Sequence, residues 1–152
     1  MNMKKFLILL VLGFALYGLY EKNPGFIQSF TAPGTASDQL LPSDQLLQRA
    51  YENRQSNLQV EGSGVVIKIL PDDLQGSRHQ KFILRLSSGQ TLLIAHNIDI
   101  APRIDALREG DTVAFLGEYE WNAKGGVVHW THHDPAGQHS SGWLEHDGST
   151  FQ

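Results

Sequence analysis

His79-Gln-Lys-Phe-Ile-Leu-Arg-Leu86, followed by Ser87-Ser-Gly89 and then Thr91-Leu-Leu-Ile-Ala95, is the stretch that decides the fold. Phe82, Leu84 and Leu86 alternate with Lys81, Ile83 and Arg85, the period-two pattern of a half-buried strand, and Ser-Ser-Gly supplies a tight turn into a second such run. Working outward, Leu58 to Leu70 is rich in Val and Ile around Gly62 and Gly64, and Pro71 to Ser77 reads as a loop. Downstream, Ile100, Ile104 and Leu107 stand at helical spacing within Ile98 to Leu107, with Pro102 restricting where a helix can begin and Gly110-Asp111 ending it. Thr112 to Trp121 reads as a strand, Asn122 to Gly126 as a hairpin turn, and Val127 to His132 as a last strand. Three strands, a short helix and a two-strand hairpin predict a mainly β fold. The expected form is a small five-stranded OB-like barrel over residues 57–135, with one short helix between strands 3 and 4. A partly open antiparallel sheet of the same strand order is the alternative.

Before the strands, residues 43–56 predict an amphipathic helix, opened by Ser43 as cap and Asp44 in the first turn, with Leu46, Leu47, Ala50 and Tyr51 as its apolar stripe. Residues 23–42 are rich in Pro, Gly, Ser and Thr and read as a linker. Ser37-Asp-Gln-Leu-Leu41 recurs as Ser43-Asp-Gln-Leu-Leu47, a short echo that is no repeat architecture. Residues 136–152 read as a His- and Gly-rich C-terminal tail packed on the barrel.

Residues 1–22 carry a targeting signal. Lys4 and Lys5 precede an uncharged apolar run over 6–20, ended by Glu21 and Lys22. As a helix the run covers about 22 Å, short of a hydrocarbon core about 30 Å thick, a gap that snorkelling lysines and the interfacial Tyr17 and Tyr20 narrow. A signal anchor is expected, because no small-residue cleavage pattern closely follows the run; a cleaved signal peptide is the alternative. The expected location is the bacterial inner membrane, single-pass, with the N-terminus cytoplasmic and the domain periplasmic. After cleavage it would be a secreted or periplasmic domain instead.

Composition excludes several classes. The chain of 152 residues has no cysteine, which removes disulfides, thiolate metal sites and cysteine nucleophiles. A formal charge of −4 opposes diffuse nucleic-acid binding. The sequence contains no phosphate-binding glycine loop, no Gly-x-Ser-x-Gly elbow and no His-Glu-x-x-His helix, so no catalytic motif is recognised and a non-enzyme is favoured.

Five of the seven histidines fall between residues 129 and 146. His129, His132, His133, Asp134, His139 and His146 form an adequate inventory for a divalent transition metal, provided Asp134-Pro135 turns the chain, because His129 and His133 on an extended strand stand about 13 Å apart. The other reading is a polar-aromatic clasp in which Trp130, Trp143 and the histidines tie the tail across the barrel. Candidate binding residues are His79 and Arg78 in the loop between strands 1 and 2, with Tyr119, Trp121, Trp130 and Trp143 as aromatic platforms. Asp72, Asp73, Asp99, Arg103 and Asp105 read as surface charge.

At His79-Gln-Lys-Phe82, Leu93-Ile-Ala-His-Asn-Ile-Asp99, Gly117-Glu-Tyr-Glu-Trp121 and Gly126-Val-Val-His-Trp-Thr-His-His-Asp-Pro135, the chain resembles an uncharacterised bacterial family of short exported proteins. The likeness covers roughly Leu58 to the C-terminus, and the His-Trp-Thr-His-His-Asp-Pro block is its most distinctive part. It implies an envelope-associated domain and transfers no catalytic role. Three functions follow: a membrane-tethered binding module for an envelope protein, oligosaccharide or oligonucleotide; a metal-dependent hydrolase or nuclease using the C-terminal histidines; or an envelope scaffold without a small ligand.

Overall fold

A computed structural model describes residues 42–152; the expected signal anchor and nearly all of the expected linker lie outside the described residues. Among the described residues no helix is long and apolar enough to cross a membrane. The order is α1 (Pro42–Glu52), β1 (Leu58–Asp73), β2 (His79–Arg85), β3 (Thr91–Asn97), β4 (Thr112–Glu120), β5 (Val127–His129), β6 (Trp143–His146) and β7 (Ser149–Phe151).

The protein is mainly β, a seven-stranded sheet in which β1, β2, β3, β5 and β4 close into a ring because β1 also pairs with β4. The length of β1 makes closure possible. Leu58 to Val65 pair with β4 and Val65 to Asp73 with β2, with a register shift between Val66 and Lys68. Gly62 and Gly64 serve this turn of partners: a Cβ at Gly62 would sit 2.9 Å from the Phe115 ring, and one at Gly64 2.9 Å from the Arg85 carbonyl. Antiparallel pairing joins β2 to β3 and β4 to β5, whereas β3 and β5 run parallel.

Alternation puts Phe82, Leu84, Leu92, Ile94, Val113, Phe115, Tyr119 and Val128 inside the ring, all at most 1% exposed. Leu47 and Ala50 of α1 join this core. The helix ends at Glu52, short of the expected residue 56, where Arg54 and Asn57 adopt left-handed backbone. Its buried face carries Asp44, Leu47 and Ala50, whereas Leu46 is exposed. Asp44 accepts hydrogen bonds from the Ser87 hydroxyl and the Ser88 N–H, pinning the helix to the β2–β3 turn.

Two expectations are corrected. Ile98 to Leu107 is a run of turns and not a helix. Side chains from the strands take its backbone groups: the Gln80 amide donates to Ile104 O and accepts from Ile104 N–H, both at 2.9 Å, and His96 Nε2 donates to Pro102 O. The helical spacing of Ile104 and Leu107 reflects burial only. The last ring strand stops at His129, because Trp130 turns to φ 53°. The C-terminal segment is a hairpin, β6 pairing with β4 at Ala114 to Leu116 and folding back onto β7, with Leu144 buried.

Candidate metal centre

The outer face of the ring carries the side chains that alternation turns away from the core. On β4, Glu118 and Glu120 flank the buried Tyr119 and so share the outer face. Register places His129 of β5 directly across from Glu118, and Val127 across from Glu120. One carboxylate oxygen from each glutamate and a ring nitrogen of His129 lie within 4.8 Å of one another. The register is fixed by the turn. Gly125 and Gly126 have φ of 117° and 104°, and a Cβ at Gly126 would lie 2.1 Å from the Tyr119 ring. A larger residue there would move β5, and His129 with it.

His129 Nε2 is 3.8 Å from Glu118 Oε1, too long for a hydrogen bond. Among the described residues this buried nitrogen has no hydrogen-bond partner. Burial pushes the imidazole below its ordinary pKa, against the opposing pull of Glu118 and Glu120, so the ring is neutral at pH 7 and keeps a lone pair for coordination. Two carboxylates and a neutral imidazole form a hard-to-borderline donor set that suits zinc, manganese or iron.

His129 also lines a cleft of about 330 Å³ together with His79, Ala95, Asn97, Trp130 and His132, among others. His79 Nδ1 donates to Ser77 O at 2.7 Å, leaving Nε2 as an acceptor. A second, shallower hollow joins Asp73, His79 and Lys81 to Glu120 and His129, and Lys81 is held there by Asp73 at 3.6 Å. The structure therefore unites His79 at the start of β2 with His129 and Trp130.

The other sequence candidates separate. His132 is buried and spends Nδ1 on the His133 carbonyl. His133 is exposed and meets the Ser141 hydroxyl. Asp134 holds its own loop: its carboxylate accepts from the N–H groups of Ala136, Gln138 and His139, which hold it below the usual carboxylate pKa. His146 lies on β6, where its Nε2 donates to Asp111 at 2.8 Å and ties the hairpin to the start of β4. His132, His133, Asp134 and His146 thus each serve a separate local bond. Tyr119 is fully buried and offers no stacking surface. Trp121 docks α1, donating its indole N–H to Tyr51 O beneath the Arg54 guanidinium. Arg78 is paired with Asp99, and Trp143 faces Leu116 across the β4–β6 pair. Trp130 stacks on His139, a local form of the expected clasp.

Glu118 and Glu120 are the residues that sequence reasoning misses. Their signal was the alternation Gly117-Glu-Tyr-Glu-Trp121, which puts two acids on one strand face, but their partner on β5 follows only from the pairing.

The chain belongs to the family described as Protein of unknown function (DUF3465), whose sequence model matches residues 30–152. Among curated proteins, none matches the chain. The resemblance read from the sequence thus stands at the level of a domain family of unknown function.

Proposed function

We propose that this domain is a membrane-tethered, ligand-binding module of the bacterial envelope, and that its ligand is a divalent transition-metal ion held on the outside of an OB-like barrel by Glu118, Glu120 and His129. The observation that carries this reading is the convergence of the three donors around a buried His129 Nε2 with no partner. Native structures seldom leave such an atom unpaired, and an ion is a natural partner for it. The OB-like reading is supported by the ring order β1-β2-β3-β5-β4 with its parallel β3–β5 closure. The envelope reading rests on the lysine-flanked apolar run at 6–20.

Three protein donors leave coordination positions free beside the cleft, which supports a metal-dependent hydrolase as the second reading. Turnover of phosphodiester and ester substrates by the metal-loaded protein separates the two readings.

The test is metal binding by protein purified without a histidine tag. One zinc or manganese ion per chain is expected, with a rise in melting temperature that Glu118→Gln and His129→Ala each remove. Substoichiometric metal, with no thermal shift on adding zinc, manganese or iron(II), would overturn the proposal.

A further inference from the structure

We infer that His139 is a fourth ligand of this centre, delivered by the loop between β5 and β6, with Trp130 as the platform that positions its ring. The inference rests on the three-donor site proposed above and specifies how that site is completed.

The loop is shaped to present this one imidazole. Gly142 N–H donates to His132 O at 2.9 Å and closes the loop at its base. A Cβ at Gly142 would lie 2.1 Å from the Trp130 carbonyl and 2.3 Å from the Leu116 carbonyl, so glycine alone permits this closure. Within the loop, the Asp134 carboxylate gathers three N–H groups, including that of His139 itself at 2.8 Å. The backbone that carries His139 is thereby fixed with respect to the end of β5.

The side chain is fixed by stacking. The His139 and Trp130 rings lie 3.8 Å apart between centroids at an interplanar angle of 14°. Trp130 reaches this position because its left-handed backbone turns the chain just beyond His129. Stacked there, His139 Nδ1 is 3.8 Å from Glu118 Oε2, as His129 Nε2 is 3.8 Å from Glu118 Oε1. One carboxylate is thus flanked by an imidazole nitrogen on each oxygen, at gaps too long for hydrogen bonds. In a tetrahedral site with bonds of about 2.1 Å, neighbouring donors are about 3.4 Å apart, so both gaps resemble the edges of a coordination sphere. Ligation would draw the His139 ring from Glu118 onto the ion and shift it across the Trp130 face.

The test compares wild type with His139→Phe, which keeps an aromatic ring for the stack and removes the nitrogen, and with His139→Ala, which removes both. Zinc affinity is measured by competition with a chromophoric chelator, and imidazole ligands are counted by X-ray absorption. Both variants are expected to melt like wild type without metal, since the loop is exposed. Zinc binding is expected to weaken by roughly tenfold to a hundredfold in both, at least the loss seen for outer-shell partners. The imidazole count is expected to fall from two to one. If wild type binds zinc through one imidazole and both variants bind it equally well, His139 is not a ligand while the three-donor site stands. If wild type binds no zinc, manganese or iron(II), the underlying site fails instead.

Discussion

Glu118 and His129 face one another across a single antiparallel pair, with Oε1 and Nε2 3.8 Å apart and no hydrogen bond between them. Glu120 stands two residues along the same strand face, so two like charges and a lone pair are held together without any bond that compensates for their proximity. Such an arrangement costs stability in the absence of a cation.

Glu118→Gln and Glu120→Gln should therefore raise the stability of the metal-free protein slightly, by about 0.5 kcal/mol each, while weakening metal binding more than tenfold. Urea unfolding in excess chelator, paired with a zinc titration, checks both halves. Lower metal-free stability in both variants would mean that the carboxylates are structural.

His96 gives the fold a defined acid sensitivity. It is fully buried, donating through Nε2 to Pro102 O and accepting from the Thr131 hydroxyl at Nδ1, and burial lowers its pKa to about 4. The unfolded chain binds this proton near pH 6.5 and the folded chain only near 4, so unfolding takes up a proton between those values. Stability is full above about pH 6.5, falls as pH drops to about 4, and loses about 3 kcal/mol across that window. Melting curves for wild type and His96→Gln should converge towards pH 4, the variant lacking most of the slope. A parallel slope in both would assign the acid sensitivity elsewhere.

The two turn glycines near the site are not equivalent to those in open loops. Gly126→Ala puts a Cβ 2.1 Å from the Tyr119 ring at φ 104°, whereas Gly76→Ala, at φ 69°, meets nothing within 4 Å. The first should cost more than about 2 kcal/mol and weaken metal binding by displacing β5; the second should cost about 1 kcal/mol and leave binding unchanged. Chemical denaturation and a zinc titration on both variants measure the contrast.

Asp44 anchors α1 through the Ser87 hydroxyl and the Ser88 N–H while fully buried. Asp44→Ala removes the acceptor from both donors and should destabilise the domain by about 1–3 kcal/mol; Asp44→Asn keeps one carbonyl and should cost less. Proteolysis of the helix-bearing segment, followed by mass spectrometry, should quicken in the same order. Equal resistance in all three proteins would place the anchor elsewhere, for example at the Trp121 indole bond to Tyr51 O.

Much of the fold was legible where a local pattern had one physical solution. Period two fixed β2, β3 and β4, and the Gly-Gly turn marked the final ring hairpin. Reading failed where side chains from elsewhere claimed the backbone. Ile98 to Leu107 has helical spacing, yet Gln80 and His96 take the carbonyls and N–H that a helix would need. The histidine-rich stretch is a cluster along the chain, whereas in the structure His132, His133, Asp134 and His146 each make a separate local bond whose partner no spacing reveals.

The sequence by itself determined that this chain folds around alternating strands and that no thiol chemistry is available to it. Strand alternation is a property of neighbours two apart, and a linear chain carries that information completely. Tertiary structure alone decided that Glu118 and Glu120 meet His129, and that His139 returns to the same carboxylate over the Trp130 ring. Those encounters depend on strand register and on the closure of a loop by Gly142, and both are set by pairings between residues that no local pattern links.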